Sequence, residues 1–286
     1  MEQHFKFRKV RDFGTVMNDS FDFIRLDFKR LGKTILIYVL PFFVLTGILL
    51  AYFQINLFSS FFSDTASPEN AVANMYLKMI PSYIVMLLNY TVLTAVIYQH
   101  INLYQKRNGD FTPEELWPDI LPVVLKIFVV YLVSFIIVVL ASFFFLIPGI
   151  YLGIVFSFLP AAVVFEQLSL GKAMNRSFAV IKDNWWRTFG IIFLGGLIVY
   201  ILSIVVSIPL FITTAFRTFH AASNNAQPQV FSTGYIIVST IISMFQNLAY
   251  GLVLIFVAIQ YFSLVEKKER TTLQAKIDKL AEESNE

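Results

Sequence analysis

Few side chains in this sequence could carry chemistry. The histidines are His4, His100 and His220. They fall near the N-terminus, at a membrane interface and in an outer loop, so they are not expected to converge on one metal ion. There is no HExxH, GxSxG or Walker-type stretch. With no cysteine at all, disulfides, thiolate catalysis and Cys-ligated metals are excluded. No Asp or Glu lies in the middle of an apolar run. This counts against intramembrane aspartyl proteolysis, metal-dependent lipid phosphotransfer and proton relays. The nearest exception is Glu166, read either as a gate or binding carboxylate or as an interfacial ion pair with Lys172, Arg176 or another arginine. The ion pair is the favoured reading. Asn89, Gln246 and Asn247 sit deep in apolar runs, where amides are expected to bond to neighbouring helices or, less simply, to line a polar path. No catalytic group, cofactor or metal site is expected.

The elements that would position these residues are set by the charge distribution. The apolar fraction is 57% and charged residues are 14% of the 286 residues, well below the roughly one quarter of a soluble domain. Mean hydropathy is +0.69. Between Lys126 and Glu166 the chain runs 39 residues without a charge. As one helix, at about 1.5 Å per residue, that run would reach about 60 Å, twice the ~30 Å hydrocarbon core. Ile147-Pro148-Gly149-Ile150 is expected to fold it in two, as a pair of spans or as a re-entrant hairpin of the same parity. An all-α, polytopic transmembrane helical bundle follows. Its six spans are expected near 34–54, 80–102, 124–146, 150–166, 189–213 and 235–263, within a membrane domain of 34–265. Counting six crossings puts 20 of the 22 Lys and Arg on one side. Cationic loops resist translocation, so both termini are expected in the cytoplasm. The basic residues before Thr34, with no cleavage site, argue against a signal peptide.

Residues 13–31, within an N-terminal segment of 1–33, read as one amphipathic helix in the headgroup plane. Its apolar positions are Phe13, Val16, Met17, Phe21, Ile24, Phe28 and Leu31. A second interfacial helix, 169–186, places Ser177 on its apolar stripe, takes Ser169 as N-cap and ends at Trp185-Trp186, which suit an interface. Met17-Asn18-Asp19-Ser20-Phe21 matches Met174-Asn175-Arg176-Ser177-Phe178 at four of five positions, which suggests a parallel repeat or convergence of two lipid-surface helices. The 266–286 tail reads as a charged cytoplasmic helix, solvated or touching a partner. Pro160 is expected to kink the fourth span. Gly149, Gly153, Ser157 and Ala161 offer a small-residue face for helix packing.

The stretch Ile147-Pro148-Gly149-Ile150-Tyr151, followed by Pro160, Glu166, Ala173, Ser177 and Trp186, resembles the membrane domain that some bacteria fuse to glycerophosphoryl diester phosphodiesterases, together with its stand-alone relatives. Arg11-Asp12-Phe13-Gly14 with Phe21 and Arg25 is similar to the way those relatives begin. The resemblance implies a bacterial inner-membrane bundle and a link to lipid. It brings no catalysis, because the phosphodiesterase barrel with its carboxylates and histidines is absent here. The expectation is therefore a non-enzymatic, lipid-associated accessory or scaffold protein. Its expected partners are anionic headgroups at the cytoplasmic face, with a protein as a further candidate and no nucleic acid. The alternative is a permease for an apolar or zwitterionic molecule using Asn89, Asn247 and the Pro160 break.

Overall fold

The computed structural model describes residues 4–63, 68–223 and 232–283, and every regular element among them is helical. In chain order these are α1 (Phe13–Leu26), α2 (Phe28–Thr34), a single π turn (Ile35–Val39), α3 (Leu40–Ser63) and α4 (Pro68–Arg107). A short 3-10 turn (Pro113–Leu116) leads into α5 (Trp117–Phe144), α6 (Leu146–Phe156), α7 (Leu159–Phe165), α8 (Leu170–Ile181), α9 (Trp185–Ser223) and α10 (Thr233–Glu283). Among the described residues six stretches are long and apolar enough to cross a membrane: Phe28–Gln54, Met79–Arg107, Pro113–Phe143, Leu146–Phe165, Trp185–His220 and Gly234–Arg270. In hydrocarbon every backbone polar group must be satisfied within its own segment, which selects helices for these charge-free runs. The chain is a multi-pass helical membrane protein.

The spans pair as antiparallel neighbours α3/α4, α5/α6 and α9/α10. The core lies at the end of the bundle that carries most of the charge. There α4 is buried continuously from Thr91 to His100 and α10 from Ile255 to Val265. The other helices surround these two. At the far end apolar side chains face outward, as Phe143, Leu146 and Phe216 do, the arrangement expected when the surroundings are acyl chains.

Four local expectations are corrected. The single helix expected over 13–31 breaks at Asp27, where α1 ends, and α2 runs through the π turn into the first span. Packing pulls α1 into the bundle as well: Val16, Ser20 and Phe23 are buried, and Phe21 meets Phe256 of α10 edge-on at 5.5 Å. The fold of the long apolar run is a single extended residue, Phe145, and not Ile147–Ile150. Pro148 sits in the first turn of α6, where a missing N–H costs nothing. Gly149 serves packing: a Cβ there would lie 1.9 Å from Ser142 Oγ and 3.1 Å from Ser142 Cα of α5. The small-residue face does not form one seam, because nothing lies within 4 Å of a Cβ built at Gly153. Pro160 is no mid-helix kink. The helix stops at Ser157, and Pro160 lies buried at the start of α7, a position proline tolerates.

Candidate functional site

The polar side chains gather at the charged end in three clusters, each anchored on α4 or α10. The first is on α4. His100, fully buried, has Nε2 2.5 Å from the Asp27 carboxylate and Nδ1 3.0 Å from Thr34 Oγ1. Arg30 reaches the same carboxylate at 3.0 Å and lies over the rings of Tyr104 and Phe111, at 5.8 and 4.8 Å from their centroids. Asp27 thus occupies the α1–α2 break and spends its charge internally. A hydroxyl, an imidazole and a carboxylate in series is the order of an activated nucleophile. Here Thr34 and His100 have no exposed surface, so no substrate atom reaches the hydroxyl. The cluster ties the α1–α2 elbow to the centre of the bundle, and His100 is an inward-facing core residue where the sequence suggested an interface.

The second cluster forms where the chain enters α1. Arg11 has almost no exposed side-chain surface. Its guanidinium donates to Asp19 at 2.6 Å and to the carbonyls of Phe7, Lys6 and Lys9 at 2.5, 2.6 and 3.2 Å. Its own backbone N–H donates to Ser263 of α10 at 2.9 Å, and Arg187 of α9 donates to its carbonyl. Phe5, Phe7 and Phe23 pack around Tyr104, whose hydroxyl accepts the Phe5 N–H at 3.2 Å. Asp12 caps α1 by accepting from the Thr15 N–H at 2.7 Å. Hydrogen bonding by Thr15, chiefly its side chain and then its N–H, lowers the Asp12 pKa below the usual carboxylate range.

The third cluster holds Glu166, between α7 and α8. Both carboxylate oxygens accept from Arg176 Nε, at 3.0 and 2.8 Å, and one accepts from Tyr261 of α10 at 2.6 Å. Arg176 also reaches Glu269 at 3.4 Å. Burial works to lower the Arg176 pKa, but the hydrogen bond and charge of Glu166 outweigh it, and the net shift is upward. Glu166 thus forms an ion pair with Arg176, one of the partners that the sequence offered for it.

The deep amides behave as inter-helix bonds. Asn89 accepts from Thr46 of α3 at 2.8 Å, and Gln246 donates to Ser207 of α9 at 2.8 Å and to the Ser203 carbonyl at 3.1 Å. Asn247 is half-buried beside it. Ser177 is fully buried, as its stripe position implied, yet its hydroxyl has no partner among the described residues. Ser169 stands at the α8 N-cap with extended backbone but makes no side-chain cap bond. Trp185 stacks on Tyr151 and Phe189, whereas Trp186 is 77% exposed. Among the described residues no group of three His, Asp or Glu could hold a metal ion.

Asp27 and Tyr261 are site residues that the sequence left unmarked, while His100 was read as interfacial and Arg11 only as part of the opening Arg11-Asp12-Phe13-Gly14 stretch. For Arg11 the available signal was its position two residues before a capped helix. For His100 and Asp27, 73 positions apart, there was none. No family model, no curated protein and no solved structure matches this chain.

Proposed function

We propose that this multi-pass protein is non-enzymatic and that its charged end, facing the cytoplasm, organises anionic lipid headgroups and docks a partner there. The supporting observation is a division of labour among the charges. The carboxylates of Asp19, Asp27 and Glu166 are engaged by arginines inside the bundle. Lys29, Lys106, Lys172 and Lys182 are exposed around the same end and make no ion pair among the described residues. A lysine near an anionic surface contributes about 1 kcal/mol of attraction. The exposed indole of Trp186 suits the same headgroup level. The permease reading has less support: Asn89 is bonded to Thr46 and Pro160 is buried, so two of its three residues face no path in this conformation.

The test is reconstitution of the full chain in nanodiscs of mixed phosphatidylcholine and phosphatidylglycerol, followed by mass spectrometry of the lipid shell it retains. Phosphatidylglycerol should be enriched around the wild type. The enrichment should vanish when Lys29, Lys106, Lys172 and Lys182 are all changed to Gln. A wild-type shell that mirrors the bulk composition would overturn the lipid-organising role. Native mass spectrometry after gentle extraction tests the docking role, which requires a reproducible co-purifying protein.

A further inference from the structure

Two adjoining clefts flank Arg25 and Leu26 on the outward side of α1. The larger, about 660 Å³, opens between residues 4–9 and α1. The smaller, about 440 Å³, lies at the α1–α2 elbow. The larger falls within the roughly 300–1,000 Å³ of small-molecule sites.

Their charge is strongly unbalanced. Asp19 is taken by Arg11 and Asp27 by Arg30, so neither carboxylate offsets a ligand. What faces the space is Lys6, Lys9, Arg25 and Lys29, four cations, against the single carboxylate of Asp22, which sits 3.8 Å from Arg25 in an exposed pair. Such an exposed pair contributes little, so Arg25 can turn to a better acceptor. A phosphate offers it a bidentate, charge-assisted acceptor and gives the lysine ammoniums a point charge to approach. The rim adds an apolar element. Leu26 and Phe28, 50% and 67% exposed, project from the same elbow. Cations beside exposed apolar side chains match a molecule that is anionic at one end and aliphatic at the other.

We infer that these clefts form a discrete site for the phosphate-bearing headgroup of a glycerophospholipid. Lys6, Lys9 and Arg25 hold the phosphate, and Leu26 and Phe28 receive the start of an acyl chain. The inference deepens the lipid-headgroup reading above and rests on it for the depth of α1 at the membrane surface. It adds one saturable site, on the α1 side only.

The test titrates full-length protein in detergent with dioctanoyl phosphatidylglycerol, and separately with inorganic phosphate, counting bound molecules by native mass spectrometry. The wild type should take up one phosphatidylglycerol at saturation. Lys6→Gln with Lys9→Gln should weaken it about tenfold, removing two charge-assisted contacts. Leu26→Ser with Phe28→Ser should weaken the lipid several-fold and leave phosphate unchanged. Lys172→Gln with Lys182→Gln, on the α8 side, should leave both within about twofold. Lys6, Lys9, Leu26 and Phe28 lie at or near the surface, and an unchanged melting temperature will confirm that the variants fold. Equal weakening by the two lysine pairs would mean diffuse attraction and overturn the site, as would absence of a saturable lipid. Phosphate binding sensitive to Lys6 and Lys9 but indifferent to Leu26 and Phe28 would overturn the lipid assignment in favour of a soluble phosphate compound. The lysines changed in the lipid-shell experiment do not include Lys6 or Lys9. A wild-type shell without enrichment but with the saturable site intact would therefore overturn the broad collar alone, and an enriched shell without a saturable site would overturn the site alone.

Discussion

α1 and α8 are built on one plan and secured by opposite chemistry. Asp12 and Ser169 stand at the two N-caps, and Phe13 and Leu170 begin the helices. Asp27 and Asn184 fill the two breaks, and Phe28 and Trp185 start the helices that follow, at the same offset every time. Val16, Ser20 and Phe23 are buried on α1; Ala173, Ser177 and Val180, the equivalent positions, are buried on α8. The offset continues into the second span of each unit. Tyr104 of α4 bonds to the segment before α1, and Tyr261 of α10 bonds to the segment before α8. The ion pairs are reversed. Before α1 a buried arginine holds an aspartate on the helix, whereas before α8 a carboxylate holds an arginine on the helix. Packing positions are thus shared while charge signs are not. A buried pair needs complementarity, and either polarity supplies it.

The sharpest way to break this comparison is to remove Arg11. Arg11→Leu leaves Asp19 without its cation and strips donors from three backbone carbonyls, so a loss of roughly 3–5 kcal/mol is expected. It should be read as reversible unfolding in mixed micelles. A loss under 1 kcal/mol would mean that the N-terminal turn is not held by this guanidinium. Glu166→Gln is the matched change on the α8 side. It keeps an acceptor for Tyr261 but removes the charge facing Arg176. Glu166 and Arg176 are about one-fifth exposed, so water partly replaces what is lost. The expected cost is about 1.5–3 kcal/mol, smaller than for Arg11. Asp19 is as exposed as Glu166, so what separates the two pairs is the burial of Arg11 and its three carbonyl partners, and the reverse ranking would mean that these add nothing.

The serines sharpen the comparison further. Ser20 donates to the Val16 carbonyl at 2.6 Å, while Ser177 is buried with its hydroxyl unpartnered. Ser177→Ala should therefore be neutral or stabilising by about 1 kcal/mol, because an unmet buried hydroxyl is removed. Ser20→Ala should cost up to about 1 kcal/mol, the net value of an ordinary hydrogen bond. Thermal unfolding of the two variants side by side decides it. A clear loss for Ser177→Ala would place an ordered water or another polar group against that hydroxyl.

The sequence showed the architecture because the runs it depends on are long. Thirty-nine uncharged residues exceed one crossing, and the cationic loops allow one parity. The apolar stripes of α1 and α8 were visible in the spacing of Val16, Phe21, Ala173 and Ser177. What the spacing could not reveal is which polar groups turn inward. A histidine at the end of an apolar run looks interfacial. His100 is interior because Asp27, at a helix break that the unbroken stripe concealed, meets it from another helix. Arg11 looks solvated in a basic N-terminal segment. It is buried because the segment curls back and offers three carbonyls to one guanidinium. Gly149 was marked correctly as a close-packing residue, but the turn was displaced to Phe145, since Pro148 suits a first helical turn as well as a loop.

The smallest expected difference concerns the caps. Asp12 caps α1 through its side chain, whereas Ser169 makes no such bond, so Asp12→Ala should loosen the start of α1 and Ser169→Ala should do little to α8. The depressed Asp12 pKa adds a pH signature. A carboxylate whose folded pKa lies below its unfolded one contributes stability that is present above the unfolded value and is lost as pH falls through the folded one. The loss therefore begins near pH 4 and continues below it. Asn retains capping ability without titrating, so Asp12→Asn should keep α1 ordered at neutral pH and remove this acid limb. Hydrogen exchange at the first-turn amides of α1, including the Thr15 N–H, reads this locally at pH 6 and pH 3. Identical exchange in wild type and Asp12→Asn at both values would show that the carboxylate charge plays no part in the cap.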